Sequence, residues 1–417
     1  MKDKINNNII NIIYISLIIL PISLISGPLI SDFLISLVVI LFVCYCFLNN
    51  KFKYFKNSFF FIFAFFYVWC LISAISSDYK LISSLKSFVY FRFFIFSLAV
   101  WFLFDQKKKI INYLLYSIFI CLLILVIDGY IQYFTGESIA GHKILEDVRL
   151  SSFFGDELIL GSYLSRFLPI IIALFFLSQY SRKKNLNIIL LIFVIFTSVI
   201  IFLSGERAAF LFVILTFFYL IFMPNKFQKY IAFLLPILII IISVFSINNK
   251  KISNRMFQQT LDQAGITKGL NNFSWEHKGH YLIAWDLFKE NKFFGVGPKN
   301  FNNNCENNLI YQKKPFVCTT HPHNTYMQLL SETGFVGFLT IFYLFLFLCF
   351  ISIKHIYLKI TKQLQYFNFP TICILASMLI SLWPLIPTGS FFNNYINIIY
   401  FFPVGIFLWL NDKKKFF

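Results

Sequence analysis

Two histidines one residue apart, His321 and His323, lie in the most polar and least repetitive stretch of the chain, GVGPKNFNNNCENNLIYQKKPFVCTTHPHNTYMQLLSETGFVG at 295–337. An imidazole there could accept a proton from a hydroxyl, or donate to a phosphate or sugar oxygen. Asn324 is a good helix cap, so a helix is predicted from Thr325. His323 then stands just before a helix N-terminus, where the aligned amides favour anions. Pro322 biases His321 away from helix, so the two histidines are expected to differ in role. His321 braces the turn and His323 faces the reacting group. A single histidine out of context is more often a structural hydrogen-bonding residue, so its surroundings decide. The stretch also carries Cys305 and Cys318, which admit three readings: a disulfide, free thiols, or a metal site shared with His321 and His323. The spacing fits no standard zinc pattern. An oxidising compartment would favour the disulfide, and no metal or cofactor is expected.

Upstream, FSWEHKGHYLIAWDLFKEN at 273–291 reads as an amphipathic helix, with Tyr281, Ala284, Trp285 and Phe288 on one face. It carries His277, Lys278 and His280. FGVGPKNF then forms a turn at Gly295 and Gly297. Charges at the rims of apolar runs are costly and tend to face cavities, and Lys86, Arg92, Asp128, Glu157, Arg166, Glu206 and Arg207 are such positions. Their structural alternatives are buried pairs and side chains that snorkel to the interface. Arg207 stands out because it occupies a short SGER turn beside Gly205, where a guanidinium fork suits phosphate oxygens.

The elements that must position these groups follow from composition. Of 417 residues, 59% are hydrophobic and 13% charged, with 58 Phe. Soluble domains carry about 25% charged residues, so a water-soluble globule is excluded and a polytopic all-α membrane protein is expected. Twelve apolar runs of about 20 residues are predicted at 8–26, 29–48, 58–76, 87–104, 110–133, 158–179, 187–203, 208–223, 230–247, 332–353, 370–387 and 394–411. The first lacks a small-x-small cleavage site and is read as a span, not a removed leader. Basic clusters flank the first span and every even-numbered exit: Lys2 and Lys4; Lys51, Lys53 and Lys56; Lys107, Lys108 and Lys109; Arg182, Lys183 and Lys184; Lys226 and Lys229; Lys354, Lys359 and Lys362; and Lys413, Lys414 and Lys415. The positive-inside rule then places both termini in the cytoplasm. It leaves 134–157, the 204–207 turn and the long 248–331 loop outside, so the chain divides into 1–247, 248–331 and 332–417. Residues 248–324 hold ten Lys/Arg against five Asp/Glu. That excess, on the side where topology does not require it, is explained by an anionic ligand or by a merely solvated face, and not by nucleic acid.

HPHNTYMQLLSETGFVG resembles the signature of the O-antigen ligase family: His, then Asn, Ser or Gln, nine residues, and Gly-x-x-Gly, here Gly334 and Gly337. The wider superfamily also holds O-antigen polymerases and protein oligosaccharyltransferases. SGERAAFL (204–211), FFGVGPKNF (293–301) and RLSSFFGDELILGSYL (149–164) are similar to it as well. The resemblance implies a C-type glycosyltransferase-like fold with about 12 transmembrane helices in the bacterial inner membrane. It implies metal-independent, inverting transfer of a glycan from undecaprenyl pyrophosphate at the periplasmic face. The acceptor is a lipid A–core sugar for a ligase, or another lipid-linked glycan for a polymerase. His323 matches the family's essential His and Arg207 its pyrophosphate-binding Arg. The family's second loop Arg is absent, and His277 or His280 occupies its place, with Lys278 between them and Arg149 and Asn324 as further substrate contacts. A transporter is the reading from another class, and it would need broken helices and polar sites at mid-membrane.

Overall fold

The computed structural model describes residues 2–225, 227–267, 275–307, 318–362 and 367–412. Lys226, the terminal lysines from Lys413 to Lys415, and loop residues 268–274 and 308–317 lie outside the described residues, as do the side chains at 275 and 276. The long apolar runs are helices, the one structure besides a closed barrel that satisfies every backbone amide within its own segment in a bilayer. In chain order they are α1 (Lys2–Ser23), α2 (Pro28–Asn49), α3 (Ser58–Ile75), α4 (Lys80–Phe88), α5 (Phe91–Gln106), α6 (Ile110–Thr135), α7 (Leu160–Leu177), α8 (Lys184–Leu203), α9 (Arg207–Phe222) and α10 (Gln228–Asn248). Then come α11 (Trp275–Glu290), α12 (Phe301–Glu306), α13 (Thr325–Ile360), α14 (Phe369–Ser381) and α15 (Asn394–Asn411). Among the described residues, ten helical stretches are long and apolar enough to cross a membrane, with 80–106 counted as one, and α9 and α14 are apolar but shorter. The protein is thus an all-helical, multi-pass membrane protein. The described residues contribute only the isolated bridges Glu137↔Lys143 and Leu145↔Arg149 outside helices.

Helices α5, α7, α14 and α15 carry the most continuous burial, with nearly every residue of α7 enclosed. The eleventh predicted span, 370–387, is shorter than expected. Helix α14 stops at Ser381, because Pro384 and Pro387 cannot continue it and restrict the residues before them. Residues 382–393 run instead as irregular backbone. The polar end of α6 organises another irregular segment. Asp128 accepts from the Ile139 amide at 2.6 Å and from the Ser152 hydroxyl. Gln132 accepts from the Ser151 and Ser152 amides at 3.1 and 2.8 Å. Asp128, fully buried, therefore serves the fold of 136–157.

The face predicted for the loop helix is corrected. His280, Ile283, Ala284 and Leu287 of α11 are buried, while Trp285 is 46% exposed. Ile283, Ala284 and Leu287 form a small core with Val296, Phe301 and Cys305. The turn and α12 supply that core, and they draw inward the stripe adjoining the predicted one.

Candidate functional site

The position of His323 begins with glycines. Helix α13 contains a break at Gly334, with φ 67° and ψ −168°, a region open almost only to glycine. The turn at 292–297 docks into that break. The Val296 and Gly297 amides donate to the Ser331 and Glu332 carbonyls, both at 2.9 Å, and the Phe335 amide donates to the Lys292 carbonyl at 2.8 Å. A Cβ on Gly334 would stand 2.1 Å from the Phe293 oxygen, and one on Gly295 would stand 2.5 Å from the Glu332 carbonyl carbon. Helix α3 clamps the joint: Ser73 donates to the Phe294 carbonyl at 2.6 Å, Ser77 to the Val296 carbonyl at 2.6 Å, and Trp69 to the Thr333 carbonyl at 2.8 Å. The buried carboxylate of Glu332 accepts from the Lys299 and Phe301 amides at 3.0 and 3.2 Å. Lys299 is thereby fixed beside the histidines.

Asn324 caps α13, accepting from the Tyr326 and Met327 amides at 2.9 and 3.1 Å, while its own amide donates to the Pro384 carbonyl at 2.8 Å. Its place is structural and it is not on the cavity wall. The 388 region holds the histidine turn. The Thr388 amide donates to the His323 carbonyl at 2.9 Å, His321 Nε2 lies 3.3 Å from the Thr388 carbonyl, and Thr320 Oγ1 lies 2.9 Å from His321 Nδ1. His321 therefore braces the turn. His323 has φ 53°, a left-handed backbone that is uncommon outside glycine.

His323 and His321 open onto a cavity of about 1050 Å³. Its walls are the α1–α2 turn around Gly27, the 142–159 segment, Ser162 and Arg166 of α7, Glu206, the start of α9, Lys299, and 387–390. Burial is the main cause that lowers the His323 pKa to about 3 and that of His321 to about 4, with the neighbouring histidines adding to the effect. Both imidazoles are neutral at pH 7, and a neutral ring can accept a proton. Lys299 is also lowered, chiefly by burial, against the opposing pull of Glu332.

Two arginines, Arg149 and Arg166, line the same cavity. Arg149 is lowered by burial, with Glu206 opposing, and its Nη2 lies 3.4 Å from the Leu158 carbonyl. Arg166 is 2% exposed. Its Nη1 donates to the Ser162 carbonyl at 3.2 Å and to the Ser162 hydroxyl, and its guanidinium carbon sits 4.6 Å from the centre of the Phe212 ring. Glu206, also on the lining, caps α7, accepting from the Gly161 and Ser162 amides at 2.6 and 3.0 Å. Burial outweighs those bonds and raises its pKa to about 7. Gly161 leaves room for it, since a Cβ there would meet the Ser204 hydroxyl at 2.7 Å.

The remaining predicted residues are placed as follows. His277 and His280 on α11 each have ring centres 5.4 Å from that of His323, so the loop histidines do gather at the motif. Lys278, between them, is exposed. Arg207 is the first residue of α9 and is half-buried. It is not on the cavity lining, although Glu206 before it and Ala208 and Ala209 after it are. Arg255 holds the 204–207 turn, donating from Nε to the Gly205 carbonyl at 2.9 Å and pairing with Glu146 at 3.2 Å. Cys305 and Cys318 are joined, with Cα atoms 5.5 Å apart. Arg92 pairs with Asp32 at 3.4 Å and Lys86 is exposed, whereas Glu157, Arg166 and Glu206 reach the cavity. Among the described residues no group of three or more His, Cys, Asp or Glu is arranged to hold a metal ion. Sequence reasoning did not single out Thr388, Gly389 and Ser390. Their signal was the close spacing of Pro384 and Pro387 at the end of a predicted span with Gly389 just past it.

Residues 191–342 match the family model described as O-Antigen ligase. That segment runs from within α8, through Glu206, Arg207 and the loop histidines, past Gly337. No curated protein matches the chain.

Proposed function

We propose, from the match of residues 191–342 to the O-antigen ligase family model and from the site's geometry, that the protein transfers a glycan from undecaprenyl pyrophosphate to a lipid A–core sugar at the periplasmic face of the inner membrane, with inversion and without a metal. The observation that carries the reading is His323. It is a neutral imidazole in a left-handed backbone, on the wall of a cavity that Arg149 and Arg166 also line. The donor's pyrophosphate lies toward Arg207, with the N-terminus of α9 adding its dipole. His323 takes the proton of the acceptor hydroxyl as that oxygen bonds to the anomeric carbon from the opposite face. The bond from the anomeric carbon to the phosphate oxygen breaks, and the pyrophosphate leaves with the electron pair. Positive charge on the wall stabilises it as it departs. Holding both membrane-bound reactants in one cavity supplies much of the acceleration. His277 and His280 stand beside His323, where the family has its second loop Arg. Polar groups gather at one end of the bundle, as a transferase at a membrane face requires and a transporter with a mid-membrane site does not.

The test uses the purified protein in lipid with an undecaprenyl-diphosphate-linked glycan and a lipid A–core acceptor. Product should form at the same rate with and without EDTA. Inhibition by EDTA that zinc reverses, or transfer from a nucleotide sugar instead of the lipid-linked donor, refutes the proposal.

A further inference from the structure

The two cavity arginines are built for something they do not touch. An arginine has five N–H donors and no acceptor, and leaving a buried charged donor unmatched is costly. The Nε of Arg166 and the Nε of Arg149 are both buried without a hydrogen-bond partner. Arg166 is 2% exposed, and its Nη1 and ring face are already occupied by Ser162 and Phe212. Glu206 feels the charge of both arginines, but its two oxygens accept from the Gly161 and Ser162 amides, and Glu146 reaches only Arg149 Nη1, at 4.0 Å. Glu206 neutralises the wall in part while leaving the guanidinium edges open.

We propose that Arg149 and Arg166 form an oxyanion seat in the cavity wall, which takes a phosphate or carboxylate of the substrate between their guanidinium edges. The seat is separate from Arg207, which lies off the lining, and Arg166 falls outside the matched 191–342 segment. Planar forks suit a planar or tetrahedral oxyanion, which lysine would meet only as a point charge. Glu206 behind the seat, and Glu157 and His142 elsewhere on the wall, set its net charge. The carrier of the oxyanion rests on the transferase reading: it is either the donor's pyrophosphate or an acidic sugar of the acceptor. The seat itself does not depend on that reading.

The experiment places the full chain in nanodiscs of phosphatidylcholine and measures affinity for inorganic pyrophosphate and for glucuronate. Wild type should bind at least one probe, and Arg149→Gln and Arg166→Gln should each weaken it by about tenfold or more. Arg166→Lys should also weaken it, and Lys53→Gln, in an ion pair with Asp105, should not. If Arg166→Gln fails to fold, Arg149→Gln and Arg166→Lys carry the test. No binding by wild type, or unchanged affinity in a folded variant of either arginine, overturns the seat. In transfer assays, inhibition competitive with the donor assigns the seat to the pyrophosphate, and inhibition competitive with the acceptor assigns it to an acidic sugar. Weakened probe binding together with no glycan transfer by wild type would keep the seat and remove the transferase reading.

Discussion

At the residue scale, what sets His323 apart is a depressed pKa on a strained backbone. Burial holds it at about 3, against about 6.5 for histidine in an unfolded chain. Between those values the unfolded chain binds a proton that the folded protein does not. His323 therefore contributes stability that is present above about pH 6.5 and is lost as pH falls through that window. The same shift keeps it competent as a base in mildly acid solution. An ordinary histidine base would give kcat/KM an acid limb near 6.5. Here the limb should fall near 7 and belong to Glu206, whose ionised form accepts both α7 amides, and Glu206→Gln should be flat from about pH 5 to 8. General-base help is worth about 10²–10⁴-fold, so His323→Ala should nearly abolish transfer. His321→Ala, which loses only the contacts to Thr320 and Thr388, should keep a measurable rate. Equal loss in both variants would remove His323 from the role of base, and a limb near 6.5 that persists in Glu206→Gln would refute its depressed pKa.

At the scale of elements, the joint between the 292–297 turn and the break in α13 decides whether the motif is held at all. Gly334→Ala must place a Cβ 2.1 Å from a backbone oxygen at a φ/ψ that only glycine adopts easily. The clamp from Ser73, Ser77 and Trp69 prevents the turn from retreating. Gly136 is the internal control. It has φ 86° but nothing within 4 Å of its Cβ position, so Gly136→Ala should cost about 1–2 kcal/mol from backbone conformation alone. Gly334→Ala should cost well over that and lower Tm in detergent by several times as much. Similar Tm losses in the two would mean that the joint yields. The Gly-x-x-Gly spacing and the GVG turn marked these positions as structural, because glycine types at fixed offsets are visible in one dimension. Their interlocking is a contact between distant segments, and nothing local encodes it. The buried stripe of α11 was missed for the same reason: two adjacent stripes are apolar, and the partner that chooses between them lies in α12 and the turn.

At the scale of the whole molecule, the helical class follows from hydropathy, and the predicted spans fall on helices, the end of 370–387 excepted, because burial in lipid leaves the backbone no other choice. The cavity was legible only in part. His323, Glu157, Arg166 and Glu206 could be picked out as polar groups at the ends of apolar runs, while the 387–390 wall straddles the predicted end of a run that prolines end early. Arg207, the more conspicuous charge by position, proved to stand beside the cavity and not on its lining. The sidedness of the site rests on the alternation of basic clusters. Lys108 sits between α5 and α6, and Lys143 in the 136–157 segment at the other end of α6; both are exposed. The cavity opens at the Lys143 end, since α6 ends at Thr135 and 142–159 forms part of the cavity wall. In a background with the six unpaired cysteines replaced, Lys143→Cys should react with a membrane-impermeant maleimide added to intact spheroplasts. Lys108→Cys should react only after permeabilisation. A transferase using a periplasmic donor needs the His323 end outside, and the positive-inside rule orients the same end outward for an unrelated reason. Labelling of position 108 from outside, with position 143 protected, would invert the molecule and put the cavity in the cytoplasm, where no lipid-linked periplasmic glycan could reach His323.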